Sequence, residues 1–336
     1  MSKFSLDVLQ QRVFPYVEAD DPDILLGAAF GEDVALTRVG DEILASHVDP
    51  IVGAVGDIGW LAVHVASNDI AASGIRPRWL QLLVLVPSIE DVELLEQIMQ
   101  DANRAAQEIG ASIIGGHTGY SAGLSRPLVS VTAMGTAAGQ KPVLTGGAQV
   151  GDRVLVTKGI ALEGTAILAQ DFVDVAQRHG LSEEELERGR RVMAEVSVMP
   201  EALLLAANGV TAMHDVTRGG ILETLLEIAD LSQVGIELDF AQLPIPPIVS
   251  RFAEAFAFDP LRMISSGTLA VTVPQGRVED VSAALEEAGT PFAFVGEVAE
   301  GIGVRVLKDG ETRHYTEIRC GEDELARLWA LHPRDE

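Results

Sequence analysis

Short apolar stretches with strand-like alternation are interleaved with helix-spaced stretches along the whole chain, and several strands are joined by links of hairpin length. Such links suit antiparallel neighbours, because parallel neighbours need a long crossover. The pattern predicts mixed α/β layers rather than a purely parallel sheet. In the first half the strand readings are Val34–Thr37, Glu42–Val48, Arg78–Val86, Ser112–Ile114 and Leu128–Thr136. Residues 5–15 and Asp57–Ser73 have helical spacing, and Ser88 is placed to cap a helix that runs to about Glu108.

A glycine-rich seam, Gly139-Gln140-Lys141-Pro142 followed by Thr145-Gly146-Gly147, divides the chain. A length of 336 residues fits two domains, expected over 1–145 and 146–336. The second half repeats the alternation. Helices are expected over Glu163–Val173, Ser182–Val196, Gly219–Asp230, Val278–Ala288 and Glu322–Leu331, with another opened by Pro200. The second of these starts on the capping-box string Ser182-Glu183-Glu184-Glu185. Strands are expected at Gly151–Thr157, Val210–Met213, Gly235–Phe240, Leu269–Val273 and Phe292–Val298. A hairpin pairs Val304–Leu307 with Thr312–Ile318.

A net charge of −26 argues against nucleic-acid binding, which needs a cationic surface. Apolar runs stop well short of the roughly 20 residues of a membrane span, and the N-terminus carries no basic stretch leading into an apolar one. The expectation is a cytoplasmic protein with no membrane contact. The single cysteine, Cys320, permits neither an intrachain disulfide nor a thiolate zinc site from one chain.

Five short strings carry acids or glycines where strand patterns meet turns or helices: Phe30-Gly31-Glu32-Asp33, His47-Val48-Asp49-Pro50, Ser67-Asn68-Asp69-Ile70, Gly115-Gly116-His117-Thr118 and His214-Asp215-Val216-Thr217-Arg218-Gly219-Gly220. Carboxylates among flexible glycines suit Mg2+, which takes oxygen ligands and is often held by one or two carboxylates plus substrate phosphates. Asp33, Asp49, Asp69 and Asp215 are the candidate metal ligands. Gly115 and Gly116 are read as a tight turn whose N–H groups approach an anion closely, with His117 and Thr118 beside them. Arg218 and the helix start at Gly219 suit a phosphate. Taken singly, each string also reads as an ordinary acidic turn, strand end or helix acid, and Lys158 as a surface lysine. No Walker or Rossmann glycine string is present.

In this order the strings resemble those of the aminoimidazole ribonucleotide synthetase (PurM-like) superfamily, which includes selenophosphate synthetase, thiamine-monophosphate kinase and the hydrogenase maturation protein HypE. The resemblance runs from about residue 25 to 310. In its second half, His214–Gly220, Ser266-Gly267-Thr268-Leu269 and Val295-Gly296-Glu297-Val298 look most like HypE. It implies two α/β domains, a homodimer formed through the N-terminal sheet, and ATP with Mg2+ near the subunit interface. Asp69, Asp215 and Arg218 would then be catalytic. Asp33, Asp49, Asp69, Gly115, Gly116, His117, Thr118 and Gly219 would contact the nucleotide.

The implied reaction is phosphorylation that activates a carboxamide or a small-molecule oxygen, with a maturation protein as a further partner. HypE dehydrates a carboxamide on a cysteine of its own C-terminal tail. A thiamine-monophosphate-kinase-like activity and a non-catalytic nucleotide-binding scaffold are the alternatives. Three positions depart from the pattern. His117 replaces the acid that follows Gly-Gly, which removes one metal ligand. Ser266 stands where HypE usually has an acid. The last residues, His332-Pro333-Arg334-Asp335-Glu336, hold no cysteine.

Overall fold

In the first half a short helix, α1 (Leu6–Arg12), precedes strands β1 (Ile24–Leu26), β2 (Ala35–Val39) and β3 (Glu42–Val52). Helix α2 (Ile58–Ala72), strand β4 (Trp79–Val86), helix α3 (Val92–Ile109), strand β5 (Ser112–Tyr120) and strand β6 (Leu128–Thr136) follow. The structure, a computed structural model, describes residues 4–17, 20–52, 57–319 and 323–332. The six strands form one sheet in the order β1-β2-β3-β6-β4-β5, with only the β4–β5 pair parallel. One face packs on α2 and α3. Helix α2 is buried on all sides except at Trp60, so its polar residues Asn68 and Asp69 sit inside the molecule. Helix α3 is two-faced and buries Ile98, Ala102, Ala105, Ala106 and Ile109. The other sheet face is open: Val48 on β3 is 58% exposed and Leu83 on β4 is 36% exposed.

The second half holds β7 (Arg153–Thr157), α4 (Leu162–Asp171), α5 (Val173–Arg178), α6 (Glu183–Arg191), α7 (Met199–Ala207), β8 (Ala212–Asp215), α8 (Gly220–Ser232) and β9 (Gly235–Asp239). It continues through α9 (Pro247–Phe256), β10 (Leu269–Val273), α10 (Val278–Ala288), β11 (Phe292–Ala299), β12 (Gly303–Lys308), β13 (Glu311–Tyr315) and α11 (Glu324–Leu331). Its seven strands run β13-β12-β9-β11-β7-β10-β8, with β9 and β12 parallel and the other neighbours antiparallel. The mixed α/β architecture and the β12–β13 hairpin agree with the sequence reading. The capping box at Ser182 is formed: its hydroxyl accepts from Glu185 N–H at 3.3 Å, and Glu185 Oε2 accepts from Ser182 N–H at 2.7 Å.

Four expectations need correction. The Gly115-Gly116-His117-Thr118 stretch is no turn but the middle of edge strand β5. Gly116 has φ +144°, and a Cβ there would lie 1.9 Å from the Leu82 carbonyl oxygen, so the glycine permits close β4–β5 approach. Ser88 does not cap α3: the helix begins after Asp91, and Ser88 and Asp91 brace the preceding turn. Helix α9 and strand β1 were not foreseen. Lys158 is not a surface residue. Its Nζ donates to the carbonyls of Glu195 (2.8 Å) and Ser197 (2.6 Å) and pairs with Glu201 Oε1 at 2.6 Å. Cys320 lies outside the described residues.

The two halves share an interior. The cluster that holds Ile70, Leu82 and Val131 continues into Val198, Leu205, Met213, Val271 and Leu285. A polar clasp adds to it: Asn68 Nδ2 donates to the Val196 carbonyl (2.8 Å), and Val198 N–H donates to Asn68 Oδ1 (2.9 Å).

Candidate active site

Two of the four aspartates, Asp33 and Asp215, meet with His214 at one buried point on the seam between the halves, and Asp69 lies near enough for their charges to act on it. Asp33 comes from the loop before β2, Asp69 from α2 and Asp215 from the last position of β8; they are 9%, 7% and 0% exposed. Asp49 lies beside Asp69. Along β3, His47 and Asp49 share the face that packs on α2, because strand side chains alternate with period two. His47 Nε2 is 3.5 Å from Asp69 Oδ2, and the charge on Asp49 helps raise the Asp69 pKa.

His214 stands in the middle of the cluster. Its Nδ1 lies 2.9 Å from Asp33 Oδ1 and 3.7 Å from Asp215 Oδ1, and its Nε2 is 3.0 Å from Glu227 Oε2 on α8. Nδ1 is thus shared between the two carboxylates in a buried ion pair. Asp33 Oδ2 and both oxygens of Asp215 are fully enclosed and have no well-aligned hydrogen-bond donor. Gly31 seats the Asp33 loop on α8, since a Cβ there would come within 3.3 Å of Glu227 Cβ.

The electrostatics follow from burial. Desolvation, aided by the charges of Asp215 and Glu227 and opposed by His214, pushes Asp33 up to about 7. Desolvation and then the charges of Asp215, Asp33 and Asp49 raise Asp69 well above the usual carboxylate range, again against His214. Burial works against a charge on His214, but Asp33, Asp215 and Glu227 outweigh it and hold its pKa well above the ordinary histidine value. Enclosed carboxylates without donors are costly unless a cation or proton compensates them. The donor set therefore fits a divalent cation.

Other expected residues lie elsewhere. Asp49 is in register with Val131, Val131 with Leu82, and Leu82 with Gly116. Gly116 is thus three strands from Asp49, roughly 14 Å at the usual strand spacing. His117 faces the open side of the sheet, opposite Asp49. Within one chain, Gly115, Gly116, His117 and Thr118 do not join the aspartate cluster. Gly219 is also not free to greet phosphate: its N–H donates to Asp323 Oδ2 at 3.3 Å, and Glu223 packs against it. Arg218, half-buried, directs its charge toward the buried Glu163. His214, Glu227 and His47 had no assigned role in the sequence reading. The available signal was the i, i+2 spacing of His47 and Asp49; nothing local marks the contact between His214 and Glu227.

No helix among the described residues is long and apolar enough to cross a membrane. Residues 31–137 match the N-terminal domain of AIR synthase related proteins, and residues 149–308 match the C-terminal domain. A putative hydrogenase expression/formation protein of Methanocaldococcus jannaschii is 30% identical over 260 residues, spanning 76% of this chain and 74% of the relative. Carbamoyl dehydratase HypE of Escherichia coli is 30% identical over 284 residues, spanning 81% and 80% of the two chains. A crystal structure of hydrogenase maturation protein HypE in complex with ATP matches with a TM-score of 0.70 at 25% identity, covering 92% of each chain. This chain is a member of the AIR synthase related family, among relatives that include hydrogenase expression/formation proteins and carbamoyl dehydratases.

Proposed function

We propose that the protein uses ATP with a divalent cation to activate a carboxamide oxygen by phosphoryl transfer, leading to dehydration. The observation that carries the reading is Asp215: both of its oxygens are enclosed without a donor, next to Asp33 and Asp69. The names of its relatives, carbamoyl dehydratases among them, give the substrate class. When bound, the cation with ATP supplies positive charge against the phosphate oxygens; Mg2+ is the usual partner. Asp33, Asp49, Asp69 and Asp215 hold and orient that charge. Arg218, at the entry to α8, would reach the phosphate only by leaving the buried Glu163 on which its charge acts. Enclosure of the cluster keeps bulk water from the transfer.

The reading extends to architecture. The chain divides into domains over 1–145 and 146–336, and two copies pair through the open face of the first sheet. Such pairing gives Gly115–Thr118, on the edge strand, a route to a nucleotide held by the partner. The names of the relatives support a hydrogenase-maturation protein as a further partner, and the reading carries with it a cytoplasmic location.

The test is ADP release from ATP in the presence of a carbamoylated peptide or small carboxamide. The wild type is expected to release ADP in step with loss of the carboxamide, and Asp33→Asn to slow release by about a hundredfold or more. ATP binding without ADP release across carboxamides would instead favour a nucleotide-binding scaffold.

A further inference from the structure

We infer that a cavity of about 320 Å3 between α2 and α4 seats an uncharged apolar group of the carboxamide substrate; only the identity of the reacting end rests on the phosphotransfer reading. Pockets for small molecules run from about 300 to 1,000 Å3. The first half of the chain contributes Trp60 and Leu61 of α2 and Arg104 of α3. The second half contributes Ile167 of α4, Arg190 of α6 and Met193, which lies between α6 and α7.

The cavity adjoins the aspartates. Ile51 follows Asp49 by two residues on β3, so both side chains leave the same face of the sheet, roughly 7 Å apart along the strand. Ile51 packs with Trp60 and Met193 on Leu61, Val65 and Val196. Val196 is the residue whose carbonyl Asn68 holds, next to Asp69. An apolar group in the cavity is therefore a short arm away from Asp49 and Asp69.

Its aromatic wall is fixed. Trp60 Nε1 donates to Glu108 Oε2 at 2.8 Å, and the indole rests against the buried His64 ring with centroids 4.3 Å apart. A plain crevice between packed helices has no such brace on the side chain that borders it. Charge selects a neutral occupant. Arg104 donates to Asp57 at 3.0 Å and lies 3.3 Å from Asp101. Arg190 donates to Glu183 at 2.9 Å and lies 3.5 Å from Glu187. Each guanidinium is already matched by two carboxylates and offers no surplus positive charge to a phosphate or carboxylate. An ammonium would meet those guanidiniums and shed its water over Leu61, Ile167 and Met193. An aliphatic or aromatic group gains from burial there.

The probe is 3-phenylpropanamide, which carries a phenyl ring two methylenes from its carboxamide. Full-length protein with 13C-labelled methionine methyls is titrated without nucleotide, in parallel with 3-phenylpropanoate and 3-phenylpropylamine. The Met193 signal, assigned with Met193→Leu, is expected to shift with the amide, and the two charged analogues to bind at least about tenfold more weakly. Ala194→Trp brings an indole into the cavity from an exposed position and should abolish the shift. No Met193 shift, equal binding of the three compounds, or a shift that survives Ala194→Trp would overturn the inference. The wild-type titrations decide even if the variant fails to fold. A shifted Met193 signal without ADP release from ATP would count against the phosphotransfer reading alone; ADP release on the amide without that shift would count against the cavity alone.

Discussion

At the scale of single residues, the site stores repulsion. Asp215 is fully enclosed and has acidic neighbours. Replacing it with asparagine removes a charge and adds an amide that can donate to Asp33. Asp215→Asn should therefore raise the metal-free melting temperature by about 2 °C or more while ATP turnover collapses. A drop in both would assign the residue an ordinary structural role. Glu163 carries a second buried charge. Burial raises its pKa, opposed by Ser266 and the Arg218 charge, and it accepts the Ser266 N–H at 3.3 Å. A carboxyl raised on folding contributes stability below its ordinary value of 4.5 and loses it as pH rises through the folded value. Glu163→Gln keeps the acceptor without the charge. Its melting temperature should match the wild type near pH 4 and exceed it increasingly toward pH 8. Asp33, Asp49 and Asp215 stood out at turns and strand ends, and Asp69 among the small residues of a helix-spaced stretch. His214 was quoted with them, yet its role depends on Glu227, 13 residues further on, which only the packing of α8 brings to the ring.

At the scale of elements, periodicity located most strands and helices, and where it erred the cause is local. Gly115-Gly116 lowers strand propensity and reads as a turn, but β5 is held by its pairing with β4. The two glycines differ in what surrounds them. A Cβ on Gly115 meets open space, whereas one on Gly116 collides with the Leu82 backbone at a φ that side chains rarely adopt. Gly116→Ala should lose about 2–4 kcal/mol in urea unfolding, and Gly115→Ala should stay within about 0.5 kcal/mol. Equal effects would argue that β5 is not paired as described. Helix α9 escaped notice because Pro244-Ile245-Pro246-Pro247 looks like a loop; Pro247 in fact occupies the first turn, where no N–H is needed. The capping box before α6 was readable because both partners lie within four residues.

At the scale of the whole molecule, the first sheet is covered on one side and bare on the other. Val48 and Leu83 stand on the bare side, the face through which the proposed pairing of two copies would run. Sedimentation should give twice the mass of one chain, and Leu83→Asp should shift it toward a single chain without changing the circular dichroism. A wild type that sediments as a single chain would remove the sheet as a pairing surface. The two-part plan was visible in the alternation of patterns, but the depth of contact between the parts was not, since the contacting residues are far apart in sequence.

That shared interior has a bearing on how such chains diversify. Leu205, Met213, Val271 and Leu285 lie in the same cluster as the residues beneath the first sheet, and Asn68 grips the backbone of the opposite half. Neither part owns a closed surface at the joint. A half recruited from another gene could not simply be spliced in; the apolar wall it faces would have to change with it, so the two parts are bound to evolve as a pair.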